Sequence, residues 1–238
     1  MSSTTNQGMD PSTLDTELLA SLEVILSTVR HQLGNSVNAI KVTLDVLNQN
    51  FDVFNDGKKK DYLERGSQLL ARQQMLIEAM KSYSRFDVRE QGDIDVVPFW
   101  ERLRAQALGR VEGTGITLEE RANLTHGSLQ GNLMALDTIV ANLLDNAVDA
   151  VEQVEAPRIE LEAVTSGTRF ILTIRDNGLG IADSDLPRIR IPLFSTKPGK
   201  AGMGLSIAHK LLAKMGGGMT IESTQAAGTC VRIYLQTT

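Results

Sequence analysis

Asn142-Leu143-Leu144-Asp145-Asn146-Ala147, and further along Asp176-Asn177-Gly178-Leu179-Gly180-Ile181, set the architecture of this chain. In the first segment Leu136, Ile139, Leu143 and Ala147 recur at helical spacing and form a face that can be buried. Asn142 and Asn146 stand one turn apart on that helix, so two carboxamides point the same way. The second segment follows Phe170-Ile171-Leu172-Thr173-Ile174, an alternating strand. Asp176 therefore falls where the strand ends, and Gly178 and Gly180 allow a tight backbone turn beside a ligand. A helix presenting amides and a strand presenting a carboxylate frame one pocket.

A third stretch, Phe194-Ser195-Thr196-Lys197-Pro198-Gly199-Lys200-Ala201-Gly202-Met203-Gly204-Leu205-Ser206-Ile207, is a loop rich in Gly, Lys and hydroxyls running into an apolar-periodic helix that reaches about Met215. Glycines ahead of a helix N-terminus let backbone N–H groups approach phosphate, and the helix dipole favours the negative charge. The stretch is not a Walker A sequence, because GxxxxGK[ST] is absent.

In order and spacing these segments resemble the four boxes of the Bergerat-type (GHKL) ATP-binding domain found in sensor histidine kinases, gyrase B and MutL. Asn142 to Asn146 resembles the N box, Asp176 to Gly180 the G1 box, Phe194 to Lys197 the F box and Gly202 to Gly204 the G2 box, while Gly228-Thr229 resembles the last adenine-side turn. The resemblance implies that Asn146 holds Mg²⁺ and that Asp176 accepts from the adenine exocyclic amine. It also implies that Lys197 and the Gly202 and Gly204 backbone meet the phosphates. Asn142, Gly178, Gly180 and Thr229 complete the expected ATP-binding set, Thr229 being equally readable as a plain strand residue. Gyrase-like ATPases place a glutamate at the position of Asn142. An amide takes no proton at neutral pH, so this pocket suits presentation of the γ-phosphate to a nucleophile other than water.

Upstream, Leu18, Leu22, Ile25, Val29, Leu33, Val37, Ile40, Leu44 and Leu47 step by three or four, which predicts one amphipathic helix from about Leu14 to Asn50. His31 lies two residues, about 200° of helix, from Leu33, hence on the solvated face. His31-Gln32-Leu33-Gly34-Asn35-Ser36 resembles the histidine-kinase H box, which makes His31 the expected phosphoacceptor. Two positions depart from that box. Gln32 stands where an acid is usual, and its amide oxygen can accept from the imidazole N–H without adding charge, so a slower autokinase is expected. Ser36 replaces a proline, so the usual kink is expected to be missing. Asn35, one turn from His31, is placed to orient water for removing phosphate from a partner.

A second amphipathic stretch, Tyr62 to Phe86 with Leu69, Leu70, Leu76, Ile77, Met80 and Tyr83, is expected to return antiparallel. Neither helix covers its apolar stripe alone, so two hairpins are expected to pair as a four-helix dimer. The fold class that follows is α+β: a helical hairpin forming a dimeric four-helix bundle, then an α/β sandwich of the Bergerat kind. The expected boundaries are a flexible tail over 1–13, the phosphotransfer hairpin over 14–88, a linker over 89–95 and the ATP-binding domain over 96–238.

In the G2 region Lys200 occupies a position where related loops carry glycine, and a solvated lid lysine is favoured over a phosphate contact. Asp149 stands where many kinases have Lys, so a basic phosphate contact is expected to be lost there. Gly216-Gly217-Gly218 reads as a helix stop, and Trp100 with Phe99, Leu103 and Leu108 as the core of a helix following Pro98. His126 and His209 have no partners at metal-ligand spacing.

Lys and Arg number 24 against 29 Asp and Glu, a net charge of −5, so nucleic acid is not an expected partner. One cysteine, Cys230, excludes an intramolecular disulfide. No apolar run reaches membrane-spanning length, so a cytoplasmic location without direct membrane insertion is expected. The expected activity is an ATP-dependent, Mg²⁺-requiring protein-histidine kinase that forms a homodimer and passes phosphate from His31 to the receiver domain of a response regulator, with phosphatase activity toward it as a further role. The alternatives are a regulator phosphatase with weak kinase activity and a non-catalytic ATP-gated dimer. Sensor histidine kinases usually carry a sensory module ahead of the H-box helix, so the expectation is either that the chain is a fragment or that its signal arrives through a separate sensor protein.

Overall fold

A computed structural model describes residues 11–85, 91–197 and 200–237. They fall into two compact units that divide between Glu78 and Ala79. The first holds a helical hairpin of α1 (Pro11–Gln49) and most of α2 (Asp56–Arg85), whose last two turns lie past that division. Most of the expected tail lies outside the described residues, and α1 begins at Pro11. It runs unbroken through Ser36 to Gln49, as the missing proline leads one to expect.

The turn between the helices is closed by Phe54 N–H donating to the Asn50 carbonyl at 2.9 Å. Helix α2 starts six residues before the sequence-based estimate of Tyr62. Asn55 caps it, its Oδ1 accepting from Lys58 N–H at 2.8 Å, with Asp56 in the first turn to favour the dipole. Phe54 stacks on Tyr62 at 5.4 Å between ring centroids, and Lys58 lies over the Phe54 ring. Leu47 is buried and Leu33, Ile40 and Leu69 are half-buried, whereas Val37, Leu44, Leu63, Leu70 and Ile77 stand exposed. The side chains of Leu18, Leu22, Ile25, Val29, Gln32, Leu76 and Tyr83, and all of Phe86, lie outside the described residues.

The second unit is a five-stranded sheet with three helices packed against it. The strands are β2 (Thr117–Asn123), β4 (Arg158–Ser166), β5 (Arg169–Asp176), β6 (Gly218–Thr224) and β7 (Gly228–Gln236), in the order β2-β4-β5-β7-β6. Only the β2–β4 pair is parallel. A small antiparallel ribbon joins β1 (Gly92–Asp95) to β3 (Ser128–Gly131). Residues 92–95, taken from the sequence as the end of a linker, thus form a strand. Their partner lies some three dozen positions away, so no local pattern announces it.

Helices α3 (Val96–Val111), α4 (Leu133–Val151) and α5 (Gly204–Lys214) lie on the sheet. In α3 Val96, Phe99, Trp100, Leu103 and Ala107 are buried, and Pro98 sits in the first turn, where its missing N–H leaves no bond unmade. Leu108, expected in that core, is instead 48% exposed, because it falls outside the buried stripe that Leu103 and Ala107 continue. The α5 end is closed by Gly216 at φ 70° and by Gly217 N–H donating to the Leu212 carbonyl at 2.9 Å.

Period-two alternation puts Phe170, Leu172 and Ile174 of β5 in cross-strand register with Leu235, Ile233 and Val231 of β7, and with Thr165, Ala163 and Leu161 of β4. Phe170 is fully buried and meets Phe99 edge-on at 5.9 Å. Phe170→Ala is expected to lower the unfolding free energy by about 3–5 kcal/mol, read from urea denaturation as a lower midpoint at constant slope.

Candidate active site

Helix α4 places the first site residues. Asn132 caps it, accepting from Ala135 N–H at 2.9 Å, and Leu136, Ile139, Val140, Leu143, Leu144, Ala147 and Val151 bury its apolar side. That packing fixes the rotation of the helix about its axis, so half-buried Asn142 and Asn146 both face one cavity. Two arginine pairs from α3 hold the outer side: Arg102 donates twice to Asp137, at 2.8 and 2.6 Å, and Arg110 donates to Asp145 at 2.7 Å.

The core face of the sheet changes character at its last row. After Phe170, Leu172 and Ile174 the next inward residue of β5 is Asp176, which pairs with Thr229 on β7, which in turn pairs with Ser223 on β6. Asp176 Oδ1 accepts from Gly178 N–H at 2.9 Å and from Thr229 N–H at 3.2 Å. Ser223 Oγ lies 2.9 Å from Thr229 Oγ1 and accepts from Ile181 N–H at 2.9 Å. Asp176 Oδ2 has no protein partner among the described residues, and the side chain lines the cavity. An acceptor with a free lone pair is therefore aimed inward. Burial raises the Asp176 carboxyl above the ordinary aspartate range, while the N–H donors of Gly178 and Thr229 and the charge of Lys197 act against that rise.

The glycines of this end are required by close approach. Gly228 has φ 98°, and a Cβ there would stand 2.0 Å from the Asp176 carbonyl oxygen. Gly180 has φ 64°, and a Cβ there would stand 2.0 Å from the Thr224 carbonyl oxygen. Neither position admits another residue without moving main chain. Gly178 packs on the Ala150 backbone and lies just outside the cavity lining.

At the opposite end, Gly202 accepts from Leu193 N–H at 3.0 Å, which folds the loop back on itself. Gly204 begins α5 beside Asn142, whose Oδ1 is 3.2 Å from where a Cβ would be. Lys197 Nζ donates to the Asn146 carbonyl at 3.2 Å and to Asp149 at 3.3 Å. Lys200, expected as a solvated residue, is exposed and lies 3.0 Å from the same Asp149 carboxylate.

These ends bound a cavity of about 410 Å³. Asn142, Asn146, Asp176, Gly180, Lys197, Gly202, Gly204 and Thr229 all line it, together with apolar Ile174, Ile181, Ile189, Met203, Ile221 and Val231. The sequence reading missed this apolar wall and the part played by Ser223. Strand alternation from Met219 through Ile221 puts Ser223 on the inward face, a signal present but unused.

His31 and Asn35 belong to the hairpin, and each unit is described by itself. Both side chains are exposed, and Asn35 Nδ2 lies 3.2 Å from His31 Nδ1. His31 Nε2 has no partner among the described residues. Those residues also hold no group of three or more His, Cys, Asp or Glu suited to a metal.

Comparison with known proteins agrees with this geometry. Residues 131–238 match the family of histidine kinase-, DNA gyrase B- and HSP90-like ATPases. The C4-dicarboxylate transport sensor protein DctB of Pseudomonas aeruginosa is 27% identical over 221 residues, which is 91% of this chain and 36% of that protein. Sensor histidine kinase ZraS of Salmonella typhimurium is 34% identical over 121 residues, 50% of this chain and 26% of that protein. In these matches the chain resembles the catalytic core of sensor histidine kinases. It spans about a third of the length of DctB, and 35% of the next curated relative, the alginate biosynthesis sensor protein KinB.

Solved structures share this fold. The histidine kinase ThkA, in a complex with the response regulator protein TrrA, superposes with a TM-score of 0.67 at 18% identity over 94% of this chain and 64% of that one. The mycobacterial sensor histidine kinase MprB gives 0.53 at 24% identity over 62% of this chain and 98% of that one.

The cavity fits a purine nucleotide: an unshared acceptor at its head, apolar walls for a ring, and lysines with glycine backbone at its mouth. Mg²⁺ fits as well, since the Asn146 carboxamide lines the cavity without a protein partner among the described residues, and Mg²⁺ takes few protein ligands beside phosphate oxygens and water.

Asp176→Asn puts an NH₂ donor where the free Oδ2 was and keeps an oxygen for the two backbone donors. Nucleotide affinity is expected to fall about ten- to hundredfold in a calorimetric titration. The folded carboxyl titrates above its unfolded value, so stability falls as pH rises between the two. The asparagine removes that loss, and the variant's urea midpoint at pH 7 should be no lower than the parent's.

Proposed function

We propose that the chain is an ATP-dependent protein-histidine kinase that works as a homodimer, phosphorylates His31 and passes the phosphoryl group to an aspartate on a response-regulator receiver domain. The observation that carries this reading is the cavity, with an acceptor for the base at one end, lysines for phosphates at the other, and Asn142 one turn before Asn146. In this reading Asp176 Oδ2 accepts from the adenine amine and the apolar wall holds the ring. Lys197 and the backbone at Gly202 and Gly204 bind the phosphates. Asn146 would hold Mg²⁺, which would supply charge neutralisation for the bound phosphates. An amide at position 142 takes no proton from water, so the γ-phosphoryl is kept for a side-chain nucleophile.

The step forms a bond from an imidazole nitrogen of His31 to Pγ and breaks the bond from Pγ to the β–γ bridging oxygen, whose electron pair leaves with ADP. Nε2 is the free nitrogen, and its lone pair is available when the proton sits on Nδ1. The Asn35 carboxamide serves that tautomer by presenting Oδ1 to Nδ1–H, a half-turn of the amide. The exposed apolar side chains of the hairpin, Val37, Leu44, Leu63, Leu70 and Ile77, support pairing of two hairpins, which would cover them. The response regulator, and a separate sensor protein as the source of the signal, are partners under the same proposal. No helix among the described residues is long and apolar enough to cross a membrane.

A second reading, a regulator phosphatase with weak kinase activity, is favoured by the Asn35 amide beside His31 and by Gln32 in place of an acid. Incubation with Mg²⁺ and γ-labelled ATP separates the two. Label on protein that is acid-labile and base-stable, and is lost in His31→Gln while nucleotide binding is kept, supports the kinase. Label surviving in that variant moves the phosphosite elsewhere, and no label despite bound ATP leaves the phosphatase or a non-catalytic ATP-gated dimer.

A charged acceptor at position 32 that takes the Nδ1–H in place of the Asn35 amide makes a hydrogen bond about twice as strong as a neutral one. Gln32→Glu is therefore expected to raise the initial rate of His31 labelling about fivefold, as a stronger bond of order 1 kcal/mol implies. An unchanged rate with intact ATP binding would show that glutamine already suffices.

A further inference from the structure

The loop after Phe194 is tied to α4 through a single carboxylate. Asp149 Oδ2 lies 3.3 Å from Lys197 Nζ and 3.0 Å from Lys200 Nζ. Both lysines line the cavity and Asp149 does not, so the carboxylate stands behind the cations and not in front of them. It is also the less exposed member, at 24% of side-chain area against 37% for Lys197 and 52% for Lys200. Lys197 is held further by the Asn146 carbonyl on the same helix. Asp145, one turn earlier on the same helix, is engaged by Arg110 and takes no part in this cluster.

We propose that Asp149 is a specificity-determining residue of the site: as the shared counterion of Lys197 and Lys200 it limits the positive charge offered to bound phosphates, and thereby sets how strongly the cavity prefers a nucleoside triphosphate to a diphosphate. This rests on the reading of the cavity as a nucleotide site. Two ammonium groups and one carboxylate leave this cluster with one net positive charge. Without the carboxylate there are two. Coulomb attraction scales with the charge of the ligand, so the added charge favours the triphosphate over the diphosphate. Because all three groups are partly exposed, solvent screening keeps the effect modest. With Asp149 in place the two nucleotides bind with more similar strength, and the product is held less differently from the substrate than two free lysines would allow. Asp149 touches no reacting atom in this scheme and acts through the lysines.

The test is Asp149→Asn, which keeps shape and removes charge, with dissociation constants for Mg²⁺-ATP and Mg²⁺-ADP measured by titration at several salt concentrations. ATP affinity is expected to rise about three- to tenfold, within the range of a partly exposed charge interaction, and ADP affinity about twofold. The salt dependence of ATP binding should steepen. Adding Lys197→Gln and Lys200→Gln to Asp149→Asn should abolish the gain. A fall in ATP affinity would mean that the carboxylate orients the lysines for phosphate, and equal or absent changes for the two nucleotides would mean that it has no bearing on discrimination. Either result overturns the proposal, as does a gain that survives loss of both lysines. If the parent protein binds neither nucleotide, the nucleotide reading of the cavity fails first.

Discussion

The inward row formed by Asp176, Thr229 and Ser223 is the constraint on which the rest of the site depends. Three antiparallel strands must be in the register that pairs Asp176 with Thr229 and Thr229 with Ser223 before one carboxylate oxygen can be held by two backbone donors and the other left free. The same register packs Phe170, Leu172 and Ile174 against α3 and α4. A slip of one residue would turn that apolar row away from the helices and point Arg169 and Arg175 at them. Core formation and placement of the acceptor are therefore one event.

Helix α4 extends this coupling to the other end of the cavity. Its buried stripe decides which way Asn142 and Asn146 face, and its cap and the arginines of α3 keep it from rotating. The phosphate-side loop is attached to that helix by Lys197 and Lys200, through contacts to the Asn146 carbonyl and Asp149. The two ends of the cavity thus share one rigid support, while the lysine side makes polar contacts that a ligand can compete for.

Much of this was legible in the sequence because the chemistry is local. Each box is a short run, and the helical spacing of Asn142 and Asn146 and the strand ending at Asp176 both follow from periodicity. Cavity-lining residues were found wherever such a run carried them. What was not legible depends on partners distant in sequence. Strand β1 exists because Ser128–Gly131 pairs with it, and the Lys200–Asp149 contact joins residues that no motif relates. The early start of α2 was visible in Asn55-Asp56, a capping signal outweighed by the search for apolar periodicity. Leu108 shows the opposite error, since an apolar residue one step from a buried stripe was counted within it.

Gly180 and Gly228 carry an evolutionary consequence. Their neighbours are carbonyl oxygens, so the cavity rim beside Asp176 is shaped by main chain, whose form does not depend on which side chains the strands carry. Sequence drift can exchange the apolar wall residues among themselves while the rim keeps its outline, provided those two positions stay bare. That is consistent with a fold shared with ThkA at 18% identity. Divergence in such a lineage is then free to accumulate in the walls and on the outer faces, where new regulatory contacts can arise without remaking the place where the nucleotide sits.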